Sequence, residues 1–510
     1  MTLKNKILFW ALFLSVLFFP LNAFQQEGSI KLVYAETASD YKGQLNTTIA
    51  KGNVQFEHNQ SKLYCDSAIF FQDKNLIYAY SHVQINQGDT VNLFCDSLKY
   101  DGNTSISKLW GNVRFRDNEY KLVTDSLEYN GNLSKGYYKN WATISSIHED
   151  LKLTSRKGYY YSATKTFFFK DSVHVEHPDY EVFSDTLEFR TIGPSAHFHG
   201  PTVIYLDSAE ILCNKGVYFT NQKLIRLWNG ASINEDKRTL FADSLIYDQN
   251  TNIGEGFCDV KLYDSTEKVM FLADYLWKSA NNDKITLRDY AHVIQFNPKD
   301  TLFLSADTIY HIQDTLTDLR QAIAINNVEI INGGLFVACD SAFFSETDSI
   351  LKLHKNPMMW AQNTQLSADS ILAPYYDREF HKLLLYENAF ITSEKDTAHY
   401  DQIKGEYMTA YLDSSKIKKV FIETNAQTLY YVTEDKTDTT GIVLKEISGM
   451  NKIDCNTILV QFIESEIENI SFNDLPTGKY TPIDDVPESE LFLIGFLWQI
   501  ERKPIRLFLE

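Results

Sequence analysis

Glycine and proline are scarce in this 510-residue chain, 22 and 11 in all, which excludes a collagen-like or low-complexity body. Six cysteines in so long a chain exclude a disulfide scaffold. Positive charge is short as well: 48 Lys and Arg face 67 Asp and Glu, a formal net charge of −19. Sequence-independent phosphate binding needs the opposite sign, so no nucleic-acid partner is expected. No apolar run reaches the roughly twenty residues of a membrane helix. Phosphate-binding loops, dinucleotide fingerprints, nucleophile elbows and zinc-type His/Cys clusters are all absent from the sequence. Neither catalysis nor a metal or other cofactor is therefore expected.

Aromatic residues are plentiful, with 30 Tyr and 33 Phe, a composition that favours strands. At the start, Lys4 and Lys6 precede an apolar run from Ile7 to Phe19, and Leu21-Asn22-Ala23 follows as a small-residue cleavage site. This reads as a secretory signal over 1–23, cut near Ala23, in preference to a retained anchor. The mature chain is expected to be exported, without a lipid anchor, since no cysteine lies near the cut.

The remainder is dominated by one unit, Leu122-Val123-Thr124-Asp125-Ser126-Leu127-Glu128-Tyr129. Near-copies recur about every thirty residues, around Asp66, Asp96, Asp185 and Asp243, with weaker ones at Asp274, Asp307, Asp340 and Asp369. Glu36, Arg156, Lys215 and Glu406 hold the same frame, making about thirteen copies. So regular a period predicts stacked repeats. An alternating apolar pair precedes each unit by about a dozen residues. The pairs are Val54/Phe56, Val83/Ile85, Val113/Phe115, Val173/Val175, Val203/Tyr205, Val260/Leu262 and Val328/Ile330. Period two puts each pair on one face of a strand.

Within the unit, Leu122 and Thr124 share one parity while Leu127 and Tyr129 share the other. Keeping all four inside requires a register shift at the Asp-Ser step. Asp66, Asp96, Asp125, Asp185, Asp243, Asp307, Asp340 and Asp369 are therefore read as corner residues accepting nearby backbone N–H groups, in preference to a row of calcium ligands. The inward set of Val54, Phe56, Val83, Ile85, Val113, Phe115, Leu122, Leu127, Tyr129, Val173, Val175, Val203, Tyr205, Val260 and Leu262 is expected to wall an apolar interior. A charge placed at Val113 or Phe115 should then block lipid contact and leave the fold intact.

Three smaller features have competing readings. Cys65, Cys95 and Cys339 precede the aspartate in their copies, as small half-buried residues or, for Cys65 and Cys95, as a bridge between neighbouring coils. His174, His177, His197 and His199 fall in adjacent repeats and could meet at a metal, although His174 more simply faces outward between Val173 and Val175. Trp110, Trp141 and Trp228 sit at equivalent places before the strands, filling a corner or stacking on sugar.

The export signal, the opening Leu32-Val33-Tyr34-Ala35-Glu36, the strand start Gly52-Asn53-Val54 and the repeated Leu-x-small-Asp-Ser-Leu-x-Tyr units together resemble the OstA-like family. That family includes the periplasmic lipopolysaccharide-transport protein LptA and the N-terminal domain of LptD. The resemblance spans roughly 28–415. It implies an elongated, all-β repeat jellyroll, open along one side like an unclosed β-solenoid. It also implies a periplasmic site of action near the outer membrane and lipopolysaccharide or a similar amphipathic lipid as cargo. Partners would be other transport proteins joined through terminal strands, with end-to-end self-association. The domains expected are 24–415 for the repeats and 416–510 for a β-rich cap or docking region. The competing expectation is a structural or adhesive β-solenoid fibre, its core filled by its own aromatics.

Overall fold

The computed structural model describes residues 28–41, 46–59, 61–87, 91–206, 209–280, 284–298, 300–314, 316–317, 319–376, 379–413, 416–437, 443–463 and 466–505. The signal expected over 1–23 lies outside them. The described residues form 35 strands and single three-residue helical turns, with no α-helix. The chain divides into two compact units, Met1–Ile204 and Tyr205–Glu510.

The first unit is an antiparallel ladder of strands about eleven residues long. Thr47–His58 pairs with Ser61–Phe71, which pairs with Leu76–Gln87, Val91–Asp101, Ile106–Arg116 and Tyr120–Asn130 in turn. Each ladder slips at mid-strand, at Lys51/Val54, Tyr64/Ser67, Tyr80/Val83, Phe94/Ser97 and Trp110/Val113. Two residues on one strand there oppose one on its partner, which is a β-bulge. The bulged pair is left-handed: Gly52 and Asn53 have φ of 79° and 47°, Ser81 and His82 63° and 48°, Gly111 and Asn112 74° and 47°.

The two kinds of strand cross this bend differently. On the bulged strand Ala50, Val54 and Phe56 are all buried, so inward parity is kept through two left-handed residues. On the aspartate strand Leu122 and Thr124 are buried, then Leu127 and Tyr129, so parity flips at Asp125-Ser126. The carboxylate bonds differ from the turn expected. Asp96 accepts the side-chain amide of Asn112 at 2.7 Å, Glu36 that of Asn53 at 2.7 Å, and Asp66 lies 2.7 Å from His82. The acceptor thus holds the second left-handed residue of the next strand, because that backbone lies directly alongside. Gly111 is needed for the same reason: a Cβ there would stand 2.6 Å from the Asp96 carboxylate.

The second unit repeats the plan from Ala209–Phe219 to Leu335–Ser345, with bends at Asn229–Gly230, Cys258–Asp259, Asp289–Tyr290 and Asn326–Asn327. Beyond it, Tyr400–Asp413 pairs with Lys416–Thr437, which pairs with Val443–Ile463. The chain from Ile483 onward then returns across the outer face of this unit. Gln402, wholly buried, donates to the carbonyl of Leu491 and accepts the N–H of Leu493. Gln365 holds Leu497 and Gln499 in the same way. Leu493 and Phe496 cover outward-facing Phe390, Leu429, Tyr431 and Met450, so the segment is a strap over several strands.

Two sequence expectations need correction. Cys65 and Cys95 are both free. They lie on strands separated by Leu76–Gln87, with Val83 opposite Cys95. Two strand spacings come to about 9.6 Å, beyond the roughly 7 Å that a disulfide spans. Val203 is only half-buried and Tyr205 is 43% exposed, while Thr202 and Ile204 are buried at 2% and 4%. The bend is Gly200-Pro201, not the residues after it. Only Gly200 is left-handed there, at φ 136°, because a proline ring bars positive φ. The inward positions therefore begin one residue sooner than the Val-x-Tyr pattern implied.

Candidate functional site

Inside the first unit the side chains meet across the interior. Val54 and Val113 are 0% exposed, and Val83 and Val173 1%. Aromatic rings occupy the centre: Phe56 packs on Phe70 at 5.6 Å, Phe115 on Tyr160 at 5.5 Å, and Tyr160 stacks on Phe167 at 4.2 Å. The hairpins at the two strand ends are tied across the interior. Tyr160 donates to Asp117 at 3.1 Å, and Lys165 to Glu119 at 3.0 Å.

The second unit is different. A cavity of about 900 Å³ lies between its two strand halves, and a smaller one of about 200 Å³ shares Glu235, Arg238, Leu262 and Ile285 with it. Its apolar wall includes Phe271, Leu304, Ile309, Ile330, Phe344 and Leu351. Small side chains at inward positions, Ala322, Ala324 and Ala342, border this space. Gly254 borders the smaller cavity likewise. Of the inward residues named from the sequence, Leu262 borders this space. Val54, Phe56, Val83, Ile85, Val113, Phe115, Leu122, Leu127, Tyr129, Val173, Val175 and Val260 are buried.

Charged groups occupy inward positions at the strand ends, continuing the parity of the apolar residues. Arg238 lies two before Leu240, Asp264 two after Leu262, Lys278 two after Leu276, and Glu235 two after Ile233. Their side chains pair: Arg238 with Asp264 at 2.8 Å, Lys278 with Glu235 at 3.8 Å, and Arg320 with Glu267 at 2.6 Å. The last two tie hairpins of opposite strand ends, Arg320–Glu267 at the larger cavity and Lys278–Glu235 at the smaller one. Burial disfavours ionised Asp264, but the bond from Arg238 and the N–H groups of Glu267 and Thr266 outweigh it and hold its pKa below the usual carboxylate range. Burial pushes the Lys278 ammonium down, against the pull of Glu235. This charged rim was legible only as a break in the apolar alternation.

His311 faces the same cavity, 5.4 Å from the Phe271 ring. Burial, with Arg320 and Arg238 nearby, lowers its pKa from 6.5 to about 4. A lowered value means the folded state favours the neutral ring. The stability it contributes is whole above pH 6.5 and is lost as pH falls from there through about 4. His311→Gln should therefore flatten the loss of unfolding free energy between pH 7 and 4, by roughly 2 kcal/mol, since the ring borders open space. Urea titrations at both pH values check this.

Of the other singled-out side chains, Cys65, Cys95 and Cys339 are buried, His177 continues the inward parity of Val173 and Val175, and His174 and the tryptophans lie on the outer face. His174 stacks on Phe183 at 4.4 Å and bonds Glu181 at 2.7 Å, and His177 stacks on Tyr180 at 4.5 Å. Among the described residues no group of three or more His, Cys, Asp or Glu is placed to hold a metal. Trp110, Trp141 and Trp228 stand at the outer corner, 43%, 54% and 37% exposed. Asp66, Asp96, Asp125, Asp185, Asp243, Asp307, Asp340 and Asp369 line the same exposed corner.

No curated protein matches the chain. Among solved structures, the WD40 domain of SCAP from fission yeast aligns over 85% of this chain and 98% of that one. Identity is 8% and the TM-score 0.09, too low to support any statement about fold. The sequence over residues 30–185 matches the family described as OstA-like protein. Residues 30–185 are thus an OstA-like family domain.

Proposed function

We propose that this protein is an exported lipid carrier acting in lipopolysaccharide delivery to the outer membrane, and that the cargo lodges in the interior of Tyr205–Glu510. The observation that carries this reading is the cavity of about 900 Å³ with its apolar wall. The OstA-like family of residues 30–185 suggests a role related to lipopolysaccharide transport, and with it a periplasmic setting and neighbouring transport proteins at the terminal strands. No catalytic group is required. Each CH₂ buried contributes about 0.8 kcal/mol, so an acyl chain is held by area alone, and the leading residues are Phe271, Leu304, Ile309 and Phe344.

The ring contacts inside Met1–Ile204 favour a second reading, a structural body without cargo. A photo-crosslinking phenylalanine analogue separates the two. Placed at Phe344 in growing cells, it should give an adduct with lipopolysaccharide, and placed at Phe115 it should give none. Absence of lipid adducts at both Phe344 and Phe271 would favour the structural body.

A further inference from the structure

The rim of the cavity says something about the head of the molecule that fits it. Arg238, Arg320 and Lys278 are the inward cations, and each is matched by a carboxylate, Asp264, Glu267 or Glu235, within 4 Å. Glu346 and Asp236 also border the space, beside Lys237. The rim therefore holds no cationic excess. A purely anionic head reaching Arg320 would displace Glu267 and set a second negative charge beside that carboxylate, with Glu346 already on the Arg320 N–H. Like charges gathered in a partly enclosed mouth repel each other. A purely cationic head meets the converse problem at Arg320. A head carrying both signs has neither: its anion replaces Glu267 at Arg320 while its amine replaces Arg320 at Glu267.

These two groups are also placed for exchange. Arg320 begins its strand and Glu267 sits in a turn at the opposite strand end, so the pair bridges the mouth. Side-chain exposure of 25% and 34% leaves both reachable from solvent. Lys278 and Glu235, at 3.8 Å with 21% and 39% exposure, form a second, looser bridge. Below them lie Leu262, Phe271 and Ile309, ready for a chain.

Resting on the reading that this interior takes lipid, we infer that the site is selective for a zwitterionic amphiphile, one whose head bears a phosphate or carboxylate together with an amine. The Arg320–Glu267 pair recognises the head by opening to it, and the Lys278–Glu235 pair bridges the smaller cavity beside it.

A matched series of single-chain lipids tests this by calorimetry on the mature chain: dodecanoyl lysophosphatidylethanolamine, dodecanoyl lysophosphatidic acid and monododecanoylglycerol. The zwitterion should bind about tenfold more tightly than the other two. Glu267→Gln should transfer the preference to lysophosphatidic acid, a switch that a merely structural role for Glu267 would not produce. The double variant Arg320→Gln/Glu267→Gln should bind all three about equally, at the wild-type affinity for the glycerol ester. Equal or tighter binding of lysophosphatidic acid by the wild type, or no change of preference in Glu267→Gln, overturns the inference while leaving lipid carriage standing. Failure of all three lipids to bind overturns lipid carriage in this cavity and the inference with it.

Discussion

Val113→Asp is expected to destabilise the first unit by on the order of 4 kcal/mol, the scale set by an uncompensated buried charge. Val113 is 0% exposed and faces Thr124 across the ladder, with Phe115 and Tyr160 filling the space beyond it. The side chain opposite it, Thr124, is uncharged and 5% exposed. The expectation from sequence was a blocked lipid path in an intact fold, whereas the full burial of Val113 predicts a loss of stability. Val123→Asp supplies the control. Val123 lies one residue from Thr124 on the outward face, is 51% exposed and pairs in register with Arg114, so the change should stay within about 0.5 kcal/mol. Hydrogen exchange of the amides from Ile106 to Asn130 distinguishes the two, and equal protection in both variants would show that the interior is wetter than its burial indicates.

Ala322→Trp should remove lipid adducts at Phe344 with little change in stability. The methyl of Ala322 borders the cavity, so an indole there enters existing space and displaces no neighbour. Overpacking penalties of about 1–3 kcal/mol arise where no such space exists. The same exchange at Ala68, 1% exposed in the first unit, should meet that penalty or a larger one. Crosslinking yield at Phe344 and the urea midpoint, measured together on both variants, check the pair of outcomes. Retained adducts in Ala322→Trp would place the lipid elsewhere than the cavity.

Much of the strand plan is legible in the sequence alone. The aspartate unit betrayed its bend because Leu122, Thr124, Leu127 and Tyr129 cannot all face inward on a straight strand, and parity is a property of a few consecutive residues. Gly52-Asn53, expected to open a strand, instead bends one at its middle, as Gly111-Asn112 does, since glycine and asparagine tolerate left-handed backbone and let the strand continue. The same local reasoning failed at Gly200-Pro201, where proline moved the bend by one residue and Thr202 and Ile204 took the inward places given to Val203 and Tyr205. The bridge weighed for Cys65 and Cys95 failed for a different reason. Equal places in consecutive copies are two strands apart, because each copy contributes two strands.

What the candidate site needed could not be read from any one copy. Ala322 and Ala324 on one strand and Ala342 on the next look like ordinary small residues, and Arg238, Asp264, Lys278 and Arg320 look like interruptions of an alternating pattern. Arg320 and Glu267 are 53 residues apart in the chain, and their meeting depends on hairpins from opposite strand ends closing over the same space. The strap is similar: Gln402 and Leu493 are 91 residues apart, and nothing local to either announces the contact. Strand identity, inward face and bend position were thus determined by the sequence itself, because they follow from spacing within one strand. Whether the interior is filled or open was decided by the tertiary structure, because a cavity is the volume left over when side chains from many strands are brought to face one another.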